Sequence, residues 1–163
     1  MPTPATSCST GHGAPETYVQ AERDEFTRLS FRGLIGAGLR FTLAEQPDRI
    51  GLYLGAGGYY TRETLEYRPG LTDDGTDNYG RASFYLSYKH KVNQQVSAIS
   101  TTYYQPRLGD AGDFRALEQA SLGVKMNDHL SLKVSLDVRY DSRPPQTVKK
   151  SDVSYRTGLS YQF

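Results

Sequence analysis

From Leu130 to Asp141 the chain alternates without a break. Leu130, Leu132, Val134, Leu136, Val138 and Tyr140 are apolar; Ser131, Lys133, Ser135, Asp137, Arg139 and Asp141 between them are polar. A period of two is the signature of a strand with one apolar and one polar face, because successive side chains of an extended chain point to opposite sides. The final segment repeats it. Val153, Tyr155, Thr157, Leu159, Tyr161 and Phe163 share one face; Asp152, Ser154, Arg156, Gly158, Ser160 and Gln162 share the other. Upstream, Leu29, Phe31, Gly33, Ile35, Ala37, Leu39, Phe41 and Leu43 form another apolar row. So do Ile50, Leu52, Leu54, Ala56 and Tyr60, then Ala82, Phe84, Leu86 and Tyr88, then Ala120, Leu122, Val124 and Met126.

The pattern predicts an all-β chain of about eight antiparallel strands, over residues 16–24, 28–43, 49–66, 78–92, 95–106, 113–126, 129–142 and 151–163. The face of 95–106 is blurred. Several of these strands exceed the five or six residues usual in globular sheets and reach the ~9–11 needed to cross a bilayer. Residues 1–15 read as a disordered segment and 16–163 as one β-barrel domain. Three connections read as tight turns: 44–48, Asn93-Gln94 and Asn127-Asp128. Three read as longer loops: 67–77, 107–112 and 143–150. Short and long connections alternate, as they do in an up-and-down transmembrane barrel with short periplasmic turns and longer outer loops.

Composition removes other classes. With a net charge of +1 there is no field for nucleic acid. Cys8 is the single cysteine, so no disulfide forms within the chain and no zinc spacing exists. No apolar run approaches the ~20 residues of a membrane helix. The first sixteen residues lack the basic and apolar parts of a secretory signal. That leaves a cytoplasmic protein, or an exported one whose signal lies outside this sequence.

Two orientations of the alternation are open. In a lipocalin-like soluble barrel the apolar faces point inward; in a membrane barrel they meet lipid. The aromatics favour the second. Phe31, Tyr60, Tyr104, Phe114, Tyr140 and Tyr155 gather at the loop ends of the strands, and Phe41, Tyr88, Tyr161 and Phe163 at the turn ends, with aliphatics between. Two girdles flanking an aliphatic band suit the two interfaces of a bilayer. The inward faces then carry Arg32, Arg40, Arg81, Lys89, Lys125, Lys133, Arg139 and Arg156 against Asp137, Asp141 and Asp152, with Glu22 and Asp24 from the first strand. Buried charges must be paired, so they read as a salt-bridged plug rather than an open pore.

The ending, an aromatic Phe163 with Tyr161, Leu159 and Tyr155 behind it, resembles the signal by which assembly machinery reads outer-membrane barrels. RLSFRGLIGAGLRFTL at 28–43, RIGLYLGAGGYYTRETL at 49–65 and SLDVRYDSRPPQTVKKSDVSYRTGLSYQF at 135–163 resemble a domain-of-unknown-function family of salt-induced outer-membrane proteins. The resemblance spans about residues 15–163. It implies a location in the cell outer membrane of a Gram-negative bacterium, and contact with outer-membrane lipid, lipopolysaccharide and the barrel assembly machinery. It also implies a signal peptide and further strands ahead of this region, so the eight strands are either a whole barrel or the C-terminal part of a wider one.

Two motifs could carry chemistry. GAG at 36–38 and GAGG at 55–58 lack the strand–turn–helix context of a phosphate loop; they read as glycines where a strand bends or where Arg and Tyr side chains crowd a narrow lumen. His129 and Ser131 have the His-x-Ser spacing of outer-membrane lipid A deacylases. That makes a lipid-modifying hydrolase one alternative function, with Ser131 activated by His129, and a soluble lipocalin-like ligand-binding barrel is the other. His12 and His90 have no partners at metal-ligand spacing. The expectation is a non-enzymatic outer-membrane barrel with a structural or salt- and stress-associated role, and with no catalytic residue, cofactor or metal.

Overall fold

The computed structural model describes residues 13–25, 27–46, 49–73 and 75–161. Within them the chain forms eight strands: β1 (Gly13–Asp24), β2 (Leu29–Gln46), β3 (Ile50–Leu65), β4 (Gly75–Lys91), β5 (Val96–Arg107), β6 (Asp110–Lys125), β7 (Leu130–Asp141) and β8 (Ser151–Tyr161). No helix occurs among the described residues. The strands pair antiparallel in sequence order, β1 to β8, in one up-and-down sheet. The first strand begins at Gly13, inside the stretch expected to be disordered; residues 1–12 lie outside the described part, as does Phe163.

The sheet is rolled. Neighbouring strands lie ~4.8 Å apart, so in a flat sheet β1 and β4 would be ~14 Å apart. Yet the Tyr85 hydroxyl of β4 donates to Glu16 of β1 at 2.7 Å. Arg115 of β6 likewise reaches Glu63 of β3 at 3.2 Å. Only a strongly curled sheet brings side chains three strands apart into contact across its concave face.

The two faces are opposite in character. The buried side chains are mostly polar: Arg28, Thr61, Glu63, Arg81, Ser83, Asp113 and Asp137, with Leu29, Tyr53, Tyr59 and Tyr79. The convex face exposes Val19, Ile35, Leu39, Leu54, Phe84, Leu86, Leu122 and Leu136. Tyr104, Phe114 and Tyr140 stack along it, with ring centroids 5.4 and 5.6 Å apart. One carboxylate breaks this face away from the strand ends: Glu118 accepts hydrogen bonds from Ser100 Oγ at 2.6 Å and from Thr102. That trio is why the face of residues 95–106 is blurred in the sequence.

Two tight turns share one device. Asn93 Oδ1 accepts the N–H groups of Gln95 and Val96, both at 2.8 Å. Asn127 Oδ1 accepts those of His129 and Leu130, at 2.9 and 2.8 Å. Each asparagine substitutes for backbone in closing its own turn. The third turn on that end closes by pairing Gln46 with Ile50, so β2 runs through residues expected to be loop.

The expectation of a six-residue loop at 107–112 is overturned. β5 and β6 continue to Arg107 and Asp110, leaving Leu108-Gly109 between them, with Gly109 in the left-handed region at φ 91°. The polar residues that suggested a loop are paired strand residues. The register shifts between Pro106 and Arg107, a bulge, and Asp113, on the same inward face as Arg115, pairs with Arg81. Short and long connections therefore alternate less strictly than the sequence suggests, the long ones being 66–74 and 142–150.

Candidate functional site

The chemically dense part of the molecule is the concave face near the loop end. Its centre is Glu63, placed inward by the same alternation that turns Tyr60 outward. Arg32 donates to it from Nε at 3.2 Å and from its second terminal nitrogen at 3.1 Å. Arg115 donates to both its oxygens at 3.2 Å, and the Tyr79 hydroxyl donates as well. Arg32 also holds Glu22 at 3.3 Å, and Arg115 holds Asp141 at 2.8 Å. A carboxylate answered by two guanidinium groups and a phenol satisfies the rule that buried charges be both paired and hydrogen-bonded.

Beside it lies a second centre. Arg81, 2% exposed, donates to Asp113 at 2.6 Å and to the carbonyls of Gln105 and Asp113 at 3.0 and 3.1 Å. Arg107 joins Asp113 at 3.5 Å and Asp77 at 3.0 Å. The Arg81 and Arg107 guanidinium groups lie over the Tyr79 ring, 5.1 and 4.4 Å from its centre.

A strap closes this end. Arg28 sits in the β1–β2 connection with a left-handed backbone, φ 59°, and is 1% exposed. Its guanidinium donates to Asp73 at 2.9 Å, to the Gln146 carbonyl at 3.0 Å and to the Glu66 carbonyl at 3.0 Å. The Gln146 N–H donates to Asp73 at 2.5 Å, and its side chain to Thr72 at 3.2 Å. The loop 142–150 thus reaches across to the loop 66–74, and both are tied to the first hairpin. Beneath it lies a cavity of about 280 Å³ lined by Glu63, Tyr79, Arg81, Arg107 and Arg115, with Pro144 and Pro145 above. The Arg28 hydrogen bond holds the Asp73 carboxyl below its ordinary range.

Toward the other end the lumen is filled by tyrosines seated on glycines. A Cβ on Gly36 would stand 2.5 Å from the Tyr18 ring, and one on Gly55 would collide with Tyr85. These are the first glycines of GAG and GAGG, and they act as seats for rings; Gly38 and Gly57 instead face the backbone of the neighbouring strand, where a Cβ on either would come within 3 Å of a carbonyl oxygen.

The register places the expected lumen charges on the concave face. Arg32 and Arg81 stand in the two centres. Arg40 pairs with Glu16 at 3.6 Å and covers Tyr53 at 4.7 Å. Asp137 is held by Arg156 and by Gln119. Lys133, Arg139 and Arg156 lie on the exposed part of that face, where β7 and β8 run to the edge of the sheet. Tyr155, Leu159 and Tyr161 form the exposed outer row of β8. The His129 ring lies 6.0 Å from that of Tyr161, while Ser131 pairs in register with Lys125 and Ser160.

Sequence reading missed Glu63, Arg115, Asp113, Glu16, Tyr79 and the strap arginine Arg28. Parity alone could have found the strand residues among them. Arg28 carries no such signal, because it lies in a connection.

An all-β, up-and-down sheet with a charge-filled concave face and an apolar convex one defines a class of protein more than an activity. The chain belongs to the protein family of unknown function DUF481, whose model matches residues 10–163. No curated protein and no solved structure matches the chain.

Proposed function

We propose that this protein is a non-enzymatic transmembrane β-barrel of the bacterial outer membrane, with a structural or salt- and stress-associated role. One observation carries the reading: among the described residues the side chains buried within the curl are mostly polar, while the convex face of the strands exposes mostly large apolar ones. Water would penalise that arrangement and hydrocarbon would reward it. The stacked Tyr104, Phe114 and Tyr140 support an interfacial girdle. A lumen filled by mutually paired charges suits a barrel that does not leak ions. The salt association rests on the family resemblance.

In this reading the two sheet edges, β1 and β8, are paired in the membrane, because an open edge cannot face lipid. They pair with each other or with strands of a wider barrel. The outer row of β8 is the surface offered to the assembly machinery, and the convex face contacts lipid and lipopolysaccharide. Fused to an export signal in a Gram-negative cell, the chain should fractionate with the outer membrane and migrate differently on gels before and after heating. Recovery from the soluble periplasm in folded form would overturn the proposal.

A further inference from the structure

The convex face carries an open groove of about 760 Å³ across β1 to β4, within the ~300–1,000 Å³ usual for small-molecule sites. Val19, Ile35, Tyr60 and Leu108 wall it, and Ala37 and Gly58 form its floor. The register explains the depression. Val19, Ile35, Tyr60 and Gly80 fall in one cross-strand row, with Ala37, Gly58 and Ala82 in the row on the turn side. Small residues on neighbouring strands leave a trough between large ones. Leu108 lies over Gly80, where a Cβ would come within 2.9 Å of its Cδ1.

One charge stands at the loop-side lip. Arg62 is two residues beyond Tyr60 on the same face, about 6.6 Å along the strand, and it is exposed. Its cross-strand neighbours are Gly33 and Asn78, neither charged. Among the described residues it takes part in no ion pair.

We propose that this groove is a lipid site, in which an acyl chain lies along the trough and a phosphate-bearing headgroup meets Arg62. The inference rests on the outer-membrane reading and names a particular lipid contact within it. The charge at the lip selects an anionic headgroup over a neutral one, and phosphate accepts the guanidinium fork well. The groove favours a hydrocarbon chain over a peptide. The backbone groups along its floor, on β2 and β3, are paired on both sides, so a peptide would find no main-chain partners there.

The test uses the full chain inserted in phosphatidylcholine vesicles containing a minority of phosphatidylglycerol, released into mild detergent and weighed by native mass spectrometry. Phosphatidylglycerol should be retained in preference to phosphatidylcholine. Arg62→Gln should lower its retention roughly tenfold, the worth of one charge-assisted hydrogen bond. Ala37→Phe should fill the groove and abolish retention, while Leu136→Ala, on another part of the convex face, should leave it unchanged. Excess inorganic phosphate should not displace the lipid; displacement would show that the groove plays no part. Equal retention of the two lipids, or retention indifferent to Arg62→Gln, overturns the site. Arg62→Gln alters an exposed side chain, so it decides the matter even if Ala37→Phe fails to insert. Failure of the wild-type chain to enter the vesicles overturns the membrane reading and the site together; insertion without lipid preference overturns the site alone.

Discussion

Glu63 carries a negative charge into the rolled sheet, and Arg32, Arg115 and Tyr79 answer it from three other strands. Removing the carboxylate takes away the counterion that two guanidinium groups share, leaving Arg32 with Glu22 alone and Arg115 with Asp141 alone. Glu63→Ala should therefore destabilise the fold by about 3–5 kcal/mol, as loss of one partner of a buried pair does, read from urea unfolding in vesicles. Arg156→Ala should cost far less, about 0–1 kcal/mol, because its side chain is 68% exposed. The sequence distinguishes inward from outward residues but not these two arginine environments. Parity puts Arg32 and Arg156 on the same face. Which of them is buried depends on how tightly the sheet curls at each strand, and Glu63 lies 52 positions from Arg115, beyond the reach of any local pattern. Glycine behaves similarly. That Gly55 leaves room for a ring is legible in its strand context, whereas the identity of the ring, Tyr85, is set by register.

Between strands, the strap has a pH dependence of its own. The hydrogen bond from Arg28 depresses the Asp73 carboxyl. A carboxyl whose folded value is depressed contributes stability above its unfolded value and loses it as pH falls through the folded one. The strap should thus be fully fastened at neutral pH and loosen only below about pH 4, the ordinary aspartate range. Protease cleavage within 142–150 should rise in that acid window, measured with an acid-active protease. Asp73→Asn should raise cleavage at neutral pH and leave only a smaller acid response, that of Asp110, which Arg143 ties to the same loop. The hairpin of β5 and β6 teaches why elements were only partly legible. Its RLGDAG stretch has the composition of a loop, yet Arg107 and Asp113 are drawn inward by Arg81, Asp77 and one another, and the ladder follows them. Composition reports what a stretch prefers alone, and here tertiary ion pairs decide. The asparagine turns were legible because their bonds are local.

For the whole molecule, the decisive question is which face meets hydrocarbon. Leu136→Arg should cost about 2–4 kcal/mol in a bilayer, while inward Ser135→Ala should cost little; the reverse order in a refolding titration would mark a water-soluble barrel. If the longer loops face outward, an epitope at Lys149 should bind antibody on intact cells and one at Asn127 should not. The number of strands, their order and the sense of alternation were readable from the sequence, because each is written with period two. Curl was not, because it arises from contacts between strands far apart along the chain. Those same contacts impose an order of events. Neighbouring hairpins can form early, since their loops are short and cheap to close. The bonds that seal the interior join residues up to 118 positions apart, as between Arg28 and Gln146, and so must come last. Until they close, a fully hydrogen-bonded ribbon carries apolar side chains on one surface and unpaired charges on the other, at home neither in water nor in lipid. If the chain enters a bilayer as proposed, it needs an escort between the two solvents, and the slow step of its maturation is the neutralisation of its own interior.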